Sequence, residues 1–252
     1  MQITRKMKKI LYTFLTLVLI GVIVVVLARS GNAPTSEQLI SQYPSISSSS
    51  ERAENKKILC PFLRIIERAG LLDTYKNVQN LSVSLPSLVK NAQTLGCGML
   101  ECGVVAFALS KGQTETLNQN LGIVSLEKLH LAKGLAHDCG FTFAKGGEVI
   151  SDEVRNNTLA ILGRKANNQG HLSFEAIMAT KNEICAEQNA KISDADLIEV
   201  KLIYGFLGGL DRGFIHIDDV KRLFHAEMPL NKTNRWLRFD MIKEMEKQFQ
   251  IE

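Results

Sequence analysis

Between Ile10 and Ala28 the chain runs 19 residues without a charged side chain, most of them Leu, Val and Ile. About 20 apolar residues wound as a helix cross the hydrocarbon core of a bilayer. Arg5, Lys6, Lys8 and Lys9 stand ahead of the run and only Arg29 closely follows it. Basic residues collect on the cytosolic side of such a segment. The expectation is a basic cytosolic tip and membrane anchor over residues 1–29, crossing the membrane through 10–28. The rest would then lie in a periplasm, a lumen or the exterior. A cleaved signal peptide is the rival reading, with Val26 and Ala28 as small residues before the cut; signal h-regions are usually shorter. Either reading exports the body, the second as a secreted form.

Residues 30–55 are rich in Ser and small polar residues, including the run Ser47 to Ser50. They read as a flexible linker with no core-forming pattern. The folded domain is expected over 56–252. Its composition is globular, 45% hydrophobic and 22% charged over the whole chain. The net charge of +4 is matched by the four basic residues of the N-terminal tip, which leaves the body near neutral. No basic stripe with interleaved aromatics follows, so nucleic acid is not an expected partner.

Helical spacing dominates that body. Pro61 to Ala69 forms a short amphipathic segment stopped by Gly70. Residues 86–110 form a long apolar stretch interrupted by Lys90 and Glu101, which predicts a central core helix. A short helix is expected around Leu126, Leu129 and Leu131, and further helices over 151–163, 173–190, 195–207, 217–226 and 234–249. Period-two alternation does not extend over a useful length anywhere. The fold class is all-α, one compact helical domain behind an N-terminal transmembrane helix.

Five cysteines, Cys60, Cys97, Cys102, Cys139 and Cys185, leave at least one thiol outside any intramolecular disulfide. The spacing contains no CxxC and no zinc pattern, and it does not say which cysteines pair. Sequons at Asn80, Asn156 and Asn231 matter only in a host that glycosylates. Cys60-Pro61 is the most informative pair. Proline is favoured at the first helical position, which makes Cys60 the cap, with free N–H groups and the positive helix end facing its sulfur. Such a site favours the thiolate, and Lys56, Lys57 and Arg64 add positive potential. That thiolate could serve as nucleophile, redox centre or metal ligand; a structural cysteine is the plain alternative. Gly213-Phe214-Ile215 with Asp219 suggests half an EF-hand loop, but Gly208, Leu210 and Arg212 cannot supply its oxygen ligands.

Cys60-Pro61-Phe62-Leu63, with Gly70-Leu71-Leu72 ten residues on, resembles the proximal segment of the heme-thiolate peroxidases, the chloroperoxidase and unspecific peroxygenase family. There the preceding residue is usually proline; here it is Leu59. The family's distal Glu-His-Asp signature is similar to Ala136-His137-Asp138, preceded by Leu126-Glu127-Lys128-Leu129. Gly140 stands where the family carries serine. The family's acid–base glutamate opens an apolar helix with a glycine fourteen residues on. Glu199, ahead of Val200-Lys201-Leu202-Ile203-Tyr204 and fourteen before Gly213, takes that place, with Glu183 as fallback. Met228-Pro229 and Trp236 resemble the closing segment. The resemblance spans about Lys57 to Trp236.

It implies heme b as cofactor, with Cys60 as axial ligand of the iron, pushing electron density toward a bound peroxide. It also implies Glu199 as the acid–base that moves the peroxide proton, and His137 as the group that holds Glu199 or tunes it. Hydrogen peroxide and a small organic molecule or halide would be the substrates. Asp138 remains as a metal-ligand candidate, but hard cations need several oxygen ligands. With Ala136 and Gly140 replacing two of them, magnesium is disfavoured. The alternatives are a heme-binding relative without peroxygenase activity and a non-catalytic helical module on a membrane tether.

Overall fold

Serine and proline set most of the helix starts. The computed structural model describes residues 31–72 and 81–249. Among these, α1 runs Ser36–Gln42, capped by Thr35 in a reciprocal box with Gln38. Helix α2 runs Pro61–Arg68 with Cys60 at its cap and Pro61 at its first position. Gly70, at φ +72°, turns the chain out of it in the left-handed conformation that glycine adopts without strain. Helices α3 (Leu85–Thr94) and α4 (Met99–Leu117) follow. Next come a 3-10 segment over Leu126–Leu131 and α5 (Asp152–Lys165). Then come α6 (Phe174–Glu187), α7 (Asp194–Phe206), the short α8 (Gly209–Arg212), α9 (Ile217–Phe224) and α10 (Phe239–Phe249). Ser84, Ser151, Ser173 and Ser193 each accept a backbone N–H in the first turn of the helix they precede.

Two small antiparallel ribbons join these helices. Strand β1 (Ser82–Ser84) pairs with β2 (Ile123–Ser125), Val83 opposite Val124. Strand β3 (His171–Leu172) pairs with β4 (Ile215–His216). One continuous apolar core runs through Leu39, Ile46, Ile65, Leu88, Val124, Phe141, Ile161, Ile177, Val200, Tyr204 and Phe224. The chain is mostly helical, as expected. The expected span 10–28 lies outside the described residues, and among those described no helix is long and apolar enough to cross a membrane.

Buried charge ties the N-terminal part of the body to α9. Phe224 O, at the negative end of α9, accepts from Arg64 Nη2 and Arg155 Nη1, each at 3.1 Å. Arg68 Nη1 donates to the next two carbonyls, His225 O at 3.2 Å and Ala226 O at 3.3 Å. Glu54 sits between the first two guanidiniums, 2.5 Å from Arg155 Nη1 and 3.6 Å from Arg64 Nε.

Two expectations are corrected here. The segment 30–55 is not a tether over its described length. It holds α1, buries Ala33, Leu39 and Ile46, contributes Glu54 to the charge cluster, and Ile46 O accepts from Met228 N at 2.9 Å. Its serines lie mostly at or near the surface, Ser36 being buried, around a few anchoring apolar residues. The long core helix over 86–110 is two helices, broken at Gly96-Cys97-Gly98, where a Cys97–Cys102 disulfide closes the corner. Nor is the second helix a core helix: Met99, Leu100, Val104 and Phe107 are exposed.

If residues 33–46 belong to the folded body, Leu39→Ala lowers its stability by about 2–5 kcal/mol, read as a lower urea midpoint with an unchanged slope. A substitution in a free tether would stay within about 0.5 kcal/mol.

Candidate functional site

Cys60 is the free cysteine; Cys97 pairs with Cys102, and Cys139 with Cys185. Cys60 takes the cap position without a formed side-chain cap hydrogen bond, though the amides of Leu63 and Phe62 lie close enough to favour its thiolate. The electrostatic outcome differs from expectation. Burial pushes the Cys60 thiol up, the two amides and Arg64 pull it down by less, and the nearby Glu199 carboxylate raises it further. Removing water from a sulfur disfavours the thiolate more than two amides recover. Lys56 and Lys57 do not help, being drawn to Asp152 at 2.5 Å and Glu127 at 3.8 Å.

Arg64, one helical turn along α2 from Cys60, is wholly buried. Beyond its contact with Phe224 O, its Nε and Nη1 have no hydrogen-bond partner. Burial pushes this guanidinium down to about 10, against the pull of Glu54, Cys60 and Glu199. Phe62 in α2 meets Phe206 in α7 edge to face, ring centres 5.0 Å apart, so α7 lies against the same stretch.

Helix α7 brings Asp196 and Glu199, three residues apart and therefore on one face. Opposite them, in the loop between the 3-10 segment and α5, His137 places Nδ1 2.8 Å from Asp196 Oδ1 and Nε2 3.9 Å from Glu199 Oε2. The Nδ1 contact lies off the line of a straight hydrogen bond. Lys181, from α6 and with no exposure, completes the group. Its Nζ lies 2.8 Å from Asp196 Oδ1, donates to Glu199 Oε2 at 2.7 Å and to Cys139 O at 2.5 Å. It also sits 4.8 Å from the centre of the Phe141 ring. The Cys139–Cys185 disulfide joins the loop to α6 beside this lysine.

Burial raises the Asp196 carboxyl, but His137, the Lys181 charge and hydrogen bond, and Ser193 outweigh it and hold it well below the usual carboxylate range. Ser193 serves twice, its hydroxyl and its amide donating to Asp196 Oδ2 at 2.7 and 2.9 Å.

Of the three residues singled out from separate segments, His137 and Glu199 adjoin each other, and the Glu199 charge reaches Cys60. Asp138 does not join them: it is exposed and belongs to neither donor group that comes within ligand reach among the described residues. One of those groups, Cys139, Cys185 and Asp196, is no metal site while its sulfurs are bonded to each other. In the other, His137, Asp196 and Glu199, the Lys181 ammonium already occupies the cation's place. The fallback Glu183 faces outward, paired with Lys165 at 2.9 Å and Arg164 at 3.4 Å.

Lys181 and Asp196 escaped the sequence reading, although each left a trace. Lys181 interrupts an apolar stripe of Ile177, Thr180 and Ile184, all buried. Ser193-x-x-Asp196 is a capping pattern, which by itself explains a carboxylate at that position. A scan against protein-family models finds no match, and a search of curated proteins finds none either.

Removing one partner of a buried ion cluster leaves uncompensated charge, so Lys181→Met is expected to cost about 3–5 kcal/mol of stability. Lys181→Met combined with Asp196→Asn should cost less than the two single changes added, which a double-mutant cycle measures. A carboxyl held low in the fold stabilises fully above its unfolded value near about 3.9. That contribution fades as acid carries the pH below this value toward the lower folded one. Wild-type stability should therefore fall below about pH 4, and Asp196→Asn should flatten the fall.

Proposed function

We propose that this chain is a membrane-anchored, exported heme-thiolate protein of the chloroperoxidase type that uses hydrogen peroxide to oxidise a small molecule. The observation that carries the reading is that Glu199 stands between the other two candidates, beside His137 and within electrostatic reach of Cys60. The buried polar groups also suit the cofactor. Cys60 offers a sulfur whose thiolate the amides of Leu63 and Phe62 favour. Arg64 beside it offers buried N–H groups without hydrogen-bond partners, one of them facing Glu54 at 3.6 Å, a guanidinium suited to a carboxylate.

In this reading Cys60 would hold the iron, giving up to solvent the proton that burial keeps on its sulfur. A thiolate-ligated heme supplies the electron push that favours O–O cleavage of a bound peroxide. The remaining work belongs to the chain. Lys181 and His137 both lie on Oε2 of Glu199, which leaves Oε1 to meet the substrate. Glu199 accepts the proton of one peroxide oxygen there and returns it to the other. Asp196 keeps His137 and Lys181 in position.

One observation favours a second reading, a heme-binding relative without turnover: the Lys181 ammonium already engages the acid–base carboxylate. With Ala136 and Gly140 in the family's ligand positions, the distal side departs from the family twice over.

Purified protein reconstituted with heme should show the red-shifted ferrous–CO Soret band of thiolate ligation, abolished in Cys60→Ala. A chain that takes up no heme overturns both readings. Where heme binds, Glu199→Gln should lower peroxide turnover by about 10²–10⁴-fold. Unchanged turnover removes Glu199 from the mechanism, and a wild type that binds heme without turnover selects the second reading.

A further inference from the structure

The disulfide beside Lys181 has a third neighbour that it does not use. Cys139 Sγ lies 3.6 Å from Asp196 Oδ1. A disulfide sulfur has no proton to donate, so in the oxidised chain this approach is not a hydrogen bond. Cys139 comes from the loop that carries His137, Cys185 from α6 and Asp196 from α7, and all three are buried. Their two sulfurs and a carboxylate oxygen lie within 4.8 Å of one another.

Thiolate sulfur and carboxylate oxygen both bind zinc, at about 2.3 Å and about 2.1 Å. At the tetrahedral angle those lengths set sulfur and oxygen roughly 3.6 Å apart. The edge between Cys139 and Asp196 thus already has the length that a shared zinc ion requires. His137 Nδ1 adjoins the same Asp196 oxygen at 2.8 Å, buried and without a hydrogen-bond partner. An imidazole nitrogen so placed is available for the fourth position.

Charge decides whether a cation can enter beside the Lys181 ammonium. A disulfide is neutral, and a zinc ion with two thiolates is neutral as well. Exchanging one for the other leaves the buried cluster at the same net charge, with Asp196 and Glu199 still facing Lys181 at 2.8 and 2.7 Å. Zinc among His137, Asp196 and Glu199 would instead add two positive charges next to the ammonium, a cost that nothing there offsets. Thiolates also favour zinc over the hard cations.

We propose that Cys139, Cys185 and Asp196 form a redox-gated zinc site: with the disulfide reduced, the two sulfurs and the carboxylate hold one zinc ion. A thiol reductant supplies two electrons and two protons, closing its own disulfide as the Cys139–Cys185 bond opens to two thiols. Zinc then replaces both protons, which leave to solvent. The structure holds the oxidised form; the zinc form belongs to a reducing compartment. In either form the loop that carries His137 stays tied to α6, by a covalent bond or by a metal. Heme plays no part in this site.

Full-length chain carrying Cys97→Ser and Cys102→Ser, which removes the other reducible pair, tests it without added heme. Reduced anaerobically and titrated with cobalt(II), it should bind one ion per chain with thiolate charge-transfer and tetrahedral d–d bands, and zinc(II) should displace them. The unreduced chain should take up none. Zinc should slow alkylation of Cys139 and Cys185 several-fold, mapped by peptide mass, and leave Cys60 unchanged. Cys185→Ser should abolish the charge-transfer band. Asp196→Asn should weaken cobalt binding by roughly tenfold or more, and Asp196→Cys, which supplies a third sulfur, should restore it. A reduced chain that binds no cobalt, or that unfolds and is not refolded by the metal, overturns the proposal. So does cobalt binding that survives Cys185→Ser, which puts the ion elsewhere. Equal affinity in Asp196→Asn removes the carboxylate, and the site falls with it.

Discussion

The ammonium of Lys181 has no access to water, and the site is arranged around that fact. An isolated charge in an apolar interior costs far more than folding can supply. Here it is met by Asp196, Glu199 and Cys139 O, all within 2.8 Å. Those contacts come from α7 and from the loop that carries His137. Satisfying one lysine therefore fixes the distance between α6 and α7 and draws the loop onto both. The Cys139–Cys185 disulfide constrains the same junction from the covalent side. A chain cross-linked over a separation of 46 residues loses denatured-state entropy worth about 4 kcal/mol in the loop-closure account. The two devices act together: the disulfide brings the loop close, and the lysine sets which carbonyl and which carboxylates face inward.

Asp196 is the carboxylate that the cluster holds most firmly. Its oxygens face His137, Lys181, the Ser193 hydroxyl and the Ser193 amide. A carboxylate so surrounded stays charged even where burial opposes it. The capping box of α7 thus does more than start a helix. By ordering Asp196 it also orders Glu199 one turn on, because both positions belong to one rigid element.

Much of the helical architecture was legible in local chemistry. Ser84, Ser151, Ser173 and Ser193 before apolar-periodic stretches, and Cys60 before Pro61, mark starts that sterics and unpaired N–H groups enforce. Thr35 and Gln38 carried the same signal for α1, but the serine-rich surroundings outweighed it; burying that segment takes only Ala33, Leu39 and Ile46. The inversion of α4 was not legible. A nearly unbroken apolar stretch does not say which side faces the core, and here the decision belongs to Gln113 and Ser110, whose partners lie across the β1–β2 ribbon and its turn. For the site, Cys60 was visible because proline fixes its place. Lys181 was not, because its partners lie up to 42 residues away along the chain, and only the fold makes it something other than a polar break in a helix stripe.

Cys60 and Arg64 share a condition that bears on what the fold is for. Burial works against the charge on each: the thiol is pushed toward its neutral form, and the guanidinium is pulled down to about 10. Neither receives full compensation from the chain, since two amides do not restore the thiolate and two nitrogens of Arg64 make no hydrogen bond, Glu54 standing 3.6 Å from one of them. A core selected for stability alone would do better with apolar side chains of similar volume at such positions. A core that receives a ligand has reason to keep both groups. A cationic centre favours the sulfur anion, and a carboxylate favours the guanidinium. On the proposed reading one molecule would bring both, an iron for Cys60 and a porphyrin carboxylate for Arg64, so that the partner each group favours comes from the same source.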